Sequence, residues 1–363
     1  MLTVTAKTLK QQLTNIFLAW GMAAEDVGII TDNMVEADLR GIDSHGAGMV
    51  PQYDRQRHQG AINVTPKIEV VRDLGAIALI DADHGLGHVP ATRAMQLACD
   101  KAEKLGVGAV AVRNSNHYGA AGVYSEMAAT RGLIGIATTG TSQRSVVPTF
   151  AKEPRFSTNP IAFAAPAKRN PPFSLDMATS TIAVGKLNVA RRAGKEIPIG
   201  WAMDETGMPT TDPTAALDAV PKRLSPLGGS RELGSHKGYG LAVMVDILSS
   251  VLSGSFIGSY NLKTGEQEQY INVGHFSLAL DPAAFRGEDG AFEDEMDDLI
   301  NMLHATEPAD EGQTVLVAGD PEHAERKWRV KNGIPMTDTL VREVRQVAAA
   351  CGAHFTLESD EAA

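Results

Sequence analysis

Gly108-Ala-Val-Ala-Val-Arg113-Asn-Ser-Asn-His117-Tyr118-Gly119-Ala120-Ala-Gly122 reads as a buried strand that turns into a helix. Gly108–Arg113 is a short apolar run closed by polar turn residues, the mark of a strand covered on both faces. The helix then runs from Gly119 to Thr130, and Leu133–Thr138 returns as a strand. Upstream, Pro90–Leu105 reads as a helix with proline at its start and Gly106 just past its end. Before it, Lys67–Val71 and Ala76–Ile80 read as a hairpin. Downstream, Ile161–Ala165 and Phe173–Asp176 are strands, and Ser180–Arg192 is a helix ended by Gly194. Strands and helices mixed in this way imply an α/β or α+β sheet covered by helices.

The ends of the chain are helical. Leu9, Leu13, Ile16 and Phe17, then Val27, Ile30, Met34 and Val35, recur at helical spacing and give two helices over residues 7–40. Val50–Gln59 adds a short one. Lys237–Ser253 is an almost wholly apolar helix, expected at the centre of the fold. Residues 286–312 are rich in acid. Phe292, Met296, Leu299, Ile300 and Leu303 give them an amphipathic helix whose charged face, with Asp297 and Asp298, is expected in solvent. The tail 359–363 is expected to fray.

Of 363 residues, 43% are apolar and 21% charged, and the net charge is −11. Such a chain can bury a sizeable core. Its acidity argues against nucleic acid as a partner, because phosphate binding needs a basic face. Cys99 and Cys351 stand outside any CxxC pair, which gives no thiolate zinc site and suits a reducing compartment. The start MLTVTAKTLKQQL lacks the pattern of a signal peptide. The longest apolar run, Gly240–Leu252, holds Asp246 and is too short to span a bilayer. The expectation is a cytoplasmic protein with no membrane partner and no metal.

Arg40-Gly-Ile-Asp-Ser44-His45-Gly46 sets a hydroxyl beside an imidazole after a helix. An imidazole titrates near neutrality and can give or take a proton in a reaction. The same dipeptide also serves as an ordinary polar turn. A Ser-His hydrolase is disfavoured, because adjacent side chains rarely face each other as nucleophile and base must. Asp81-Ala-Asp-His84-Gly-Leu-Gly-His88-Val-Pro90 offers only a broken dinucleotide fingerprint, with proline where the third glycine belongs. Its two histidines precede the expected helix start and do not share a helical face. Asn114–Gly122 presents a helix N-terminus, where unpaired N–H groups bind anions, or where Asn and Ser simply cap. Asp176 closes a strand and either receives ribose hydroxyls or caps a turn. Lys237 stands at the unfavourable end of its helix dipole, which an anionic ligand would explain.

In order along the chain, RGIDSHG, RNSNHYGAAG, STNPIAFAAP, LDMATSTIAVGK, IPIGWAMDETGMPTTDP, PLGG, HKGYGLAVMVDILSSVLSG and GDPEHAERK resemble the type 2 malate/L-lactate dehydrogenase family. The resemblance covers residues 7 to about 350. It implies a non-Rossmann α/β fold with a large, mostly antiparallel sheet. It implies a homodimer with the active site near the subunit contact. The reaction implied is hydride transfer between NAD or NADP and C2 of a small 2-hydroxy or 2-oxo acid. The alternatives are a cyclic imine substrate, as in Δ1-piperideine-2-carboxylate reduction, or a homologue that binds cofactor without catalysis.

Carried over by motif, His45 is the proton donor, Ser44 its relay and His117 a further acid/base. Thr141 and Thr158 match positions near nicotinamide or substrate. Tyr118, Gly119 and Ala120 follow His117 in the cofactor turn, and Asp176, Met177 and Ala178 match ribose and adenosine contacts. Gly228, Gly229, Lys237, Gly319, Asp320, Glu322 and Arg326 match further cofactor contacts. The implied division is a helical segment 1–70 packing with 300–355, and a sheet domain 71–299 that binds cofactor and substrate.

Two departures bear on the substrate. Met49 stands where many members carry the arginine that grips the substrate carboxylate, and a guanidinium suits that task through two parallel hydrogen bonds. Arg144 and Lys186 are the replacement candidates. The loop VVPTFAKEPRF, residues 146–156, lacks the paired glycines of many members. A 2′-phosphate on the cofactor would need a cation, for which Lys186, Arg191, Arg192 and Arg326 are candidates.

Overall fold

A seven-stranded sheet forms the centre of the chain. The structure, a computed structural model, describes residues 2–267, 270–288 and 290–357; the tail expected to fray lies outside them. The sheet strands are β1 (Glu69–Leu74), β2 (Ile77–Asp81), β3 (Val107–Ser115), β4 (Ile134–Thr139), β5 (Ile161–Ala165), β6 (Phe173–Met177) and β7 (Val273–Leu280). Their order is β1-β2-β3-β7-β4-β5-β6. Only the β2–β3 pairing is parallel; the other five are antiparallel. The late strand β7 inserts between β3 and β4, so the centre of the sheet joins distant parts of the sequence.

Valine and alanine on β3, β4 and β5 pack against small residues of two helices, α3 (His88–Leu105) and α4 (Ala121–Ala129). Close packing is what lets the helices approach: a Cβ on Gly108 or Gly135 would strike the backbone of Ala98 or Ser125. Helix α3 begins at His88 rather than Pro90 and ends at left-handed Gly106. Proline thus falls inside the first turn, where its missing N–H is an orphan anyway.

A second core joins the two ends of the chain. Helix α1 (Ala6–Ala19) buries Leu9, Leu13, Ile16 and Phe17 as its spacing predicts, and α2 (Ala24–Leu39) buries Ile30 and Met34. They share a cluster with Ile334, Met336, Val344 and Val347 from the C-terminal region. Strand Leu2–Val4 pairs antiparallel with Ile334–Met336.

Two expectations are corrected. The apolar helix is α5 (Ser235–Asp246), continued by one π turn over Ile247–Val251. It buries Gly238, Ala242 and Val245, but Ile247, Val251 and Leu252 are 52%, 49% and 59% exposed. One face packs and the other is bare, so the helix is not buried all round in the single chain. On helix α6 (Ala291–His304), Asp297 is buried rather than solvated. It accepts from the backbone N–H of Arg169 (2.9 Å) and Asn170 (2.8 Å) and from both their side chains. Helical periodicity assigned it to solvent, and the neighbouring loop supplies the partners that let it be buried. No described helix is long and apolar enough to cross a membrane.

Candidate active site

The chain leaves α2 at Arg40 and turns back on itself, with the His45 N–H donating to the Ile42 carbonyl at 2.9 Å. This tight turn brings neighbours face to face against expectation: Ser44 Oγ and His45 Nδ1 lie 2.8 Å apart. Nε2 is the ring nitrogen left for another partner. Burial holds the His45 pKa below the usual imidazole value, so the ring is neutral near pH 7 and fit to accept a proton.

Behind His45 stand three more imidazoles. The His117 ring lies 5.5 Å from that of His45, and its Nδ1 is 2.7 Å from the Tyr53 hydroxyl. His275 bonds Thr139 Oγ1 (2.7 Å) and Ser115 Oγ (2.8 Å). His88 is fully buried with neither ring nitrogen bonded. Gly119 makes room for it: φ is +79°, and a Cβ there would come within 2.8 Å of His88 Nε2. Burial, reinforced by the His45 charge, pushes the His88 pKa down to about 3. A pKa depressed in the folded state gives stability that is complete above the ordinary imidazole value and lost as pH falls below it. His88→Leu is therefore expected to lose ~2 kcal/mol less stability than wild type between pH 7 and pH 5. Melting temperatures between pH 7 and pH 5 check it; parallel acid limbs in the two proteins would refute it.

Ser44 and His45 open into a cleft of about 660 Å³. The cleft also takes in Gly119, Ala120, Thr158, Asp176, Ala178, Gly319 and Glu322 from the sequence-derived set. Asp176 sits at the end of β6, where its Oδ2 accepts from the Gly122 N–H of α4 at 2.7 Å. Desolvation raises its pKa to about 6; the Gly122 bond opposes this, Glu322 adds to it, Arg40 opposes and Glu126 adds. The cleft also holds Arg40, which opens the RGIDSHG segment, and residues that no motif marked: Glu126, Ser174 and Leu316–Ala318. Arg40 bonds Glu36 at 2.7 Å and pairs with Glu126, which also accepts from Ser174 Oγ. A lone acid on the otherwise uncharged helix Ala121–Ala129 was the signal available for Glu126.

Other sequence-derived candidates are not among the described residues of the cleft wall. Met49 packs against the helical core. The Arg144 side chain lies over Gly258, and exposed Lys186 lies 5.7 Å from the Trp201 ring. Tyr118 is buried, stacked at 4.7 Å on both Tyr124 and His275. Thr141 donates to the Gln143 carbonyl at 3.1 Å. Met177 ends β6, half-buried beside the cleft residues Asp176 and Ala178. Gly228 and Gly229 form a turn against Gly234 and Gly200, with exposed Lys237 just beyond. Asp320 opens helix Asp320–Asn332 and bonds His304 at 2.7 Å. Arg326 reaches Glu36 at 2.7 Å instead of the cleft.

The profile described as Malate/L-lactate dehydrogenase matches residues 4–345. The chain belongs to the malate/L-lactate dehydrogenase family. It is 41% identical over 341 residues to malate dehydrogenase of Pyrococcus horikoshii, covering 94% of this chain and 93% of that one. It is 38% identical over 343 residues to L-sulfolactate dehydrogenase of Methanocaldococcus jannaschii, covering 94% and 95%. The solved structure of malate dehydrogenase from Entamoeba histolytica superposes with TM-score 0.90 at 33% identity, over 97% of this chain and 99% of that one. This chain is thus a dehydrogenase, an oxidoreductase acting on CH–OH groups, and its sheet is that family's mostly antiparallel one. The family implies a nicotinamide cofactor. The cleft fits one: its volume is that of small-molecule sites, and glycine and alanine at 119–122 leave its floor free of bulk.

Proposed function

We propose that the protein moves a hydride between NAD or NADP and C2 of a small 2-hydroxy or 2-oxo acid, with His45 as the proton-transfer residue. The observation that carries this is the Ser44–His45 pair, bonded at 2.8 Å, in a cleft that Asp176 also lines. A bound nicotinamide supplies or receives the hydride. The chain handles the proton. In oxidation, neutral His45 accepts the hydroxyl proton of the substrate at Nε2. In reduction, its protonated form returns that proton to the oxygen. Ser44 holds Nδ1 and so fixes the ring plane. Asp176 suits ribose hydroxyls, and Thr158 offers a hydroxyl near the substrate. The helical part formed by 1–70 with 300–355 carries His45, Arg40 and Glu322, and the sheet part 71–299 carries Thr158 and Asp176.

NADH and NADPH consumption, followed by absorbance, tests the reading against pyruvate, oxaloacetate, sulfopyruvate, 2,3-diketogulonate and cyclic imino acids. Turnover with at least one 2-oxo acid is expected. Turnover with cyclic imines alone would move the assignment to imine reduction. Tight cofactor binding with no turnover would mark a non-catalytic homologue.

The bare row Ile247, Val251 and Leu252 supports a homodimer, because water-facing apolar rows of this kind mark contacts between chains. Ile247→Asp with Val251→Asp is expected to give a monomer by light scattering. A dimer that survives both charges would place the contact elsewhere.

A further inference from the structure

The Ser44–His45 turn is held from below by a carboxylate that does not line the cleft. Asp38, one residue before the end of α2, is buried, and its Oδ2 accepts from the Ala47 N–H at 2.8 Å. The same carboxylate lies so close to Gly46 that any Cβ there would overlap it. That contact alone demands glycine at 46. On the other side of His45, Asp43 pairs with Arg329. That buried guanidinium also donates to the Asp38 carbonyl at 2.7 Å and to Glu325 at 2.6 Å. His45 therefore hangs between two anchored stretches of backbone.

Asp38 is a poor choice for merely ending a helix. It is a carboxylate near the negative end of the α2 dipole, and it is withdrawn from water, which disfavours its charge. What it gains there is a hydrogen bond from one backbone N–H of the turn.

We propose that Asp38 is a positioning residue for proton transfer: by fixing Gly46 and Ala47 it sets how far the His45 ring reaches into the cleft. This rests on the proposed role of His45. Misplacing a reacting group by ~1 Å lowers a rate by about 100-fold, and a free turn allows such a displacement.

The test compares Asp38→Ala, Asp38→Asn, Gly46→Ala and the Asp38→Ala/Gly46→Ala double variant in the full-length protein. Asp38→Ala is expected to lower kcat by about 10- to 100-fold with the dissociation constant of NAD(P)H, read by fluorescence, unchanged. Asp38→Asn keeps an acceptor for the Ala47 N–H and is expected to recover most of the rate. Gly46→Ala is expected to slow the wild type strongly and the Asp38→Ala variant little, because its methyl enters the space the carboxylate left. Wild-type kcat in Asp38→Ala, additive effects in the double variant, or no rescue by asparagine would each overturn the proposal. Should Asp38→Ala not fold, the asparagine variant and Gly46→Ala carry the comparison: both at wild-type rate would overturn it. A wild-type protein with no turnover would defeat the reaction instead. The readout then becomes the His45 ring resonances by NMR, and an unmoved ring in Gly46→Ala would overturn the positioning role.

Discussion

Replacing His45 by alanine is expected to lower kcat by about 10²- to 10⁴-fold while NAD(P)H binding is kept, the range that a positioned acid or base contributes. His117 is a poor substitute, although its ring is only 5.5 Å away. Its Nδ1 is engaged by Tyr53. Burial, with the charges of His45, His88 and His275 in support, pushes its pKa well below the usual value. A second signature lies in the pH profile. Because burial lowers the His45 pKa, oxidation, which needs the neutral ring, should stay at its plateau down to a pH below the ordinary imidazole value. Reduction, which needs the protonated ring, should decline as pH rises through that same lowered value. Stopped-flow rates in both directions across pH check this. A His45→Ala variant with wild-type kcat would remove His45 from the chemistry.

The parts of the fold that the sequence announced are those whose neighbours are local. β3 and α4 were legible because a short apolar run meets Asn114 and then a run of small helical residues. The hairpin was displaced by one to three residues because β1 is exposed along its whole length. No alternation of buried and open positions marks its ends. Asp297 was misplaced for the opposite reason: its helix period is regular, and only residues 169–170, far away in sequence, supply its partners.

The site divides in the same way. Ser44, His45 and Asp176 sit in motifs that the resemblance carries, and the cleft gathers them. Asp38 and Tyr53 give no local sign, because each acquires its role only when another element covers it. Arg326 reads as a cofactor cation along its helix, yet Glu36 on α2 takes its guanidinium.

Arg40→Leu is expected to destabilise the protein by about 3–5 kcal/mol, the usual result of stripping one partner from a buried ion pair. The Arg40 and Glu126 side chains are only 11% and 8% exposed. Without the guanidinium, Glu126 keeps only the Ser174 hydroxyl as a donor among its described hydrogen bonds, whereas Glu36 keeps Arg326. The Arg40→Leu/Glu126→Leu double variant should recover most of the loss, since it leaves no uncompensated charge and adds apolar surface. Urea unfolding of the two single variants and the double variant gives the coupling directly. A double variant as unstable as Arg40→Leu would mean that the guanidinium acts mainly through Glu36. Recovery of stability would come without recovery of function. Arg40 is the only lysine or arginine among the described cleft-lining residues, beside the acids Glu126, Asp176 and Glu322. An anionic ligand entering that wall meets one cation already shared by two carboxylates, and in the double variant it meets none. The pair is therefore expected to matter less for holding the fold, which leucines can do, than for placing a cation in an acidic cleft.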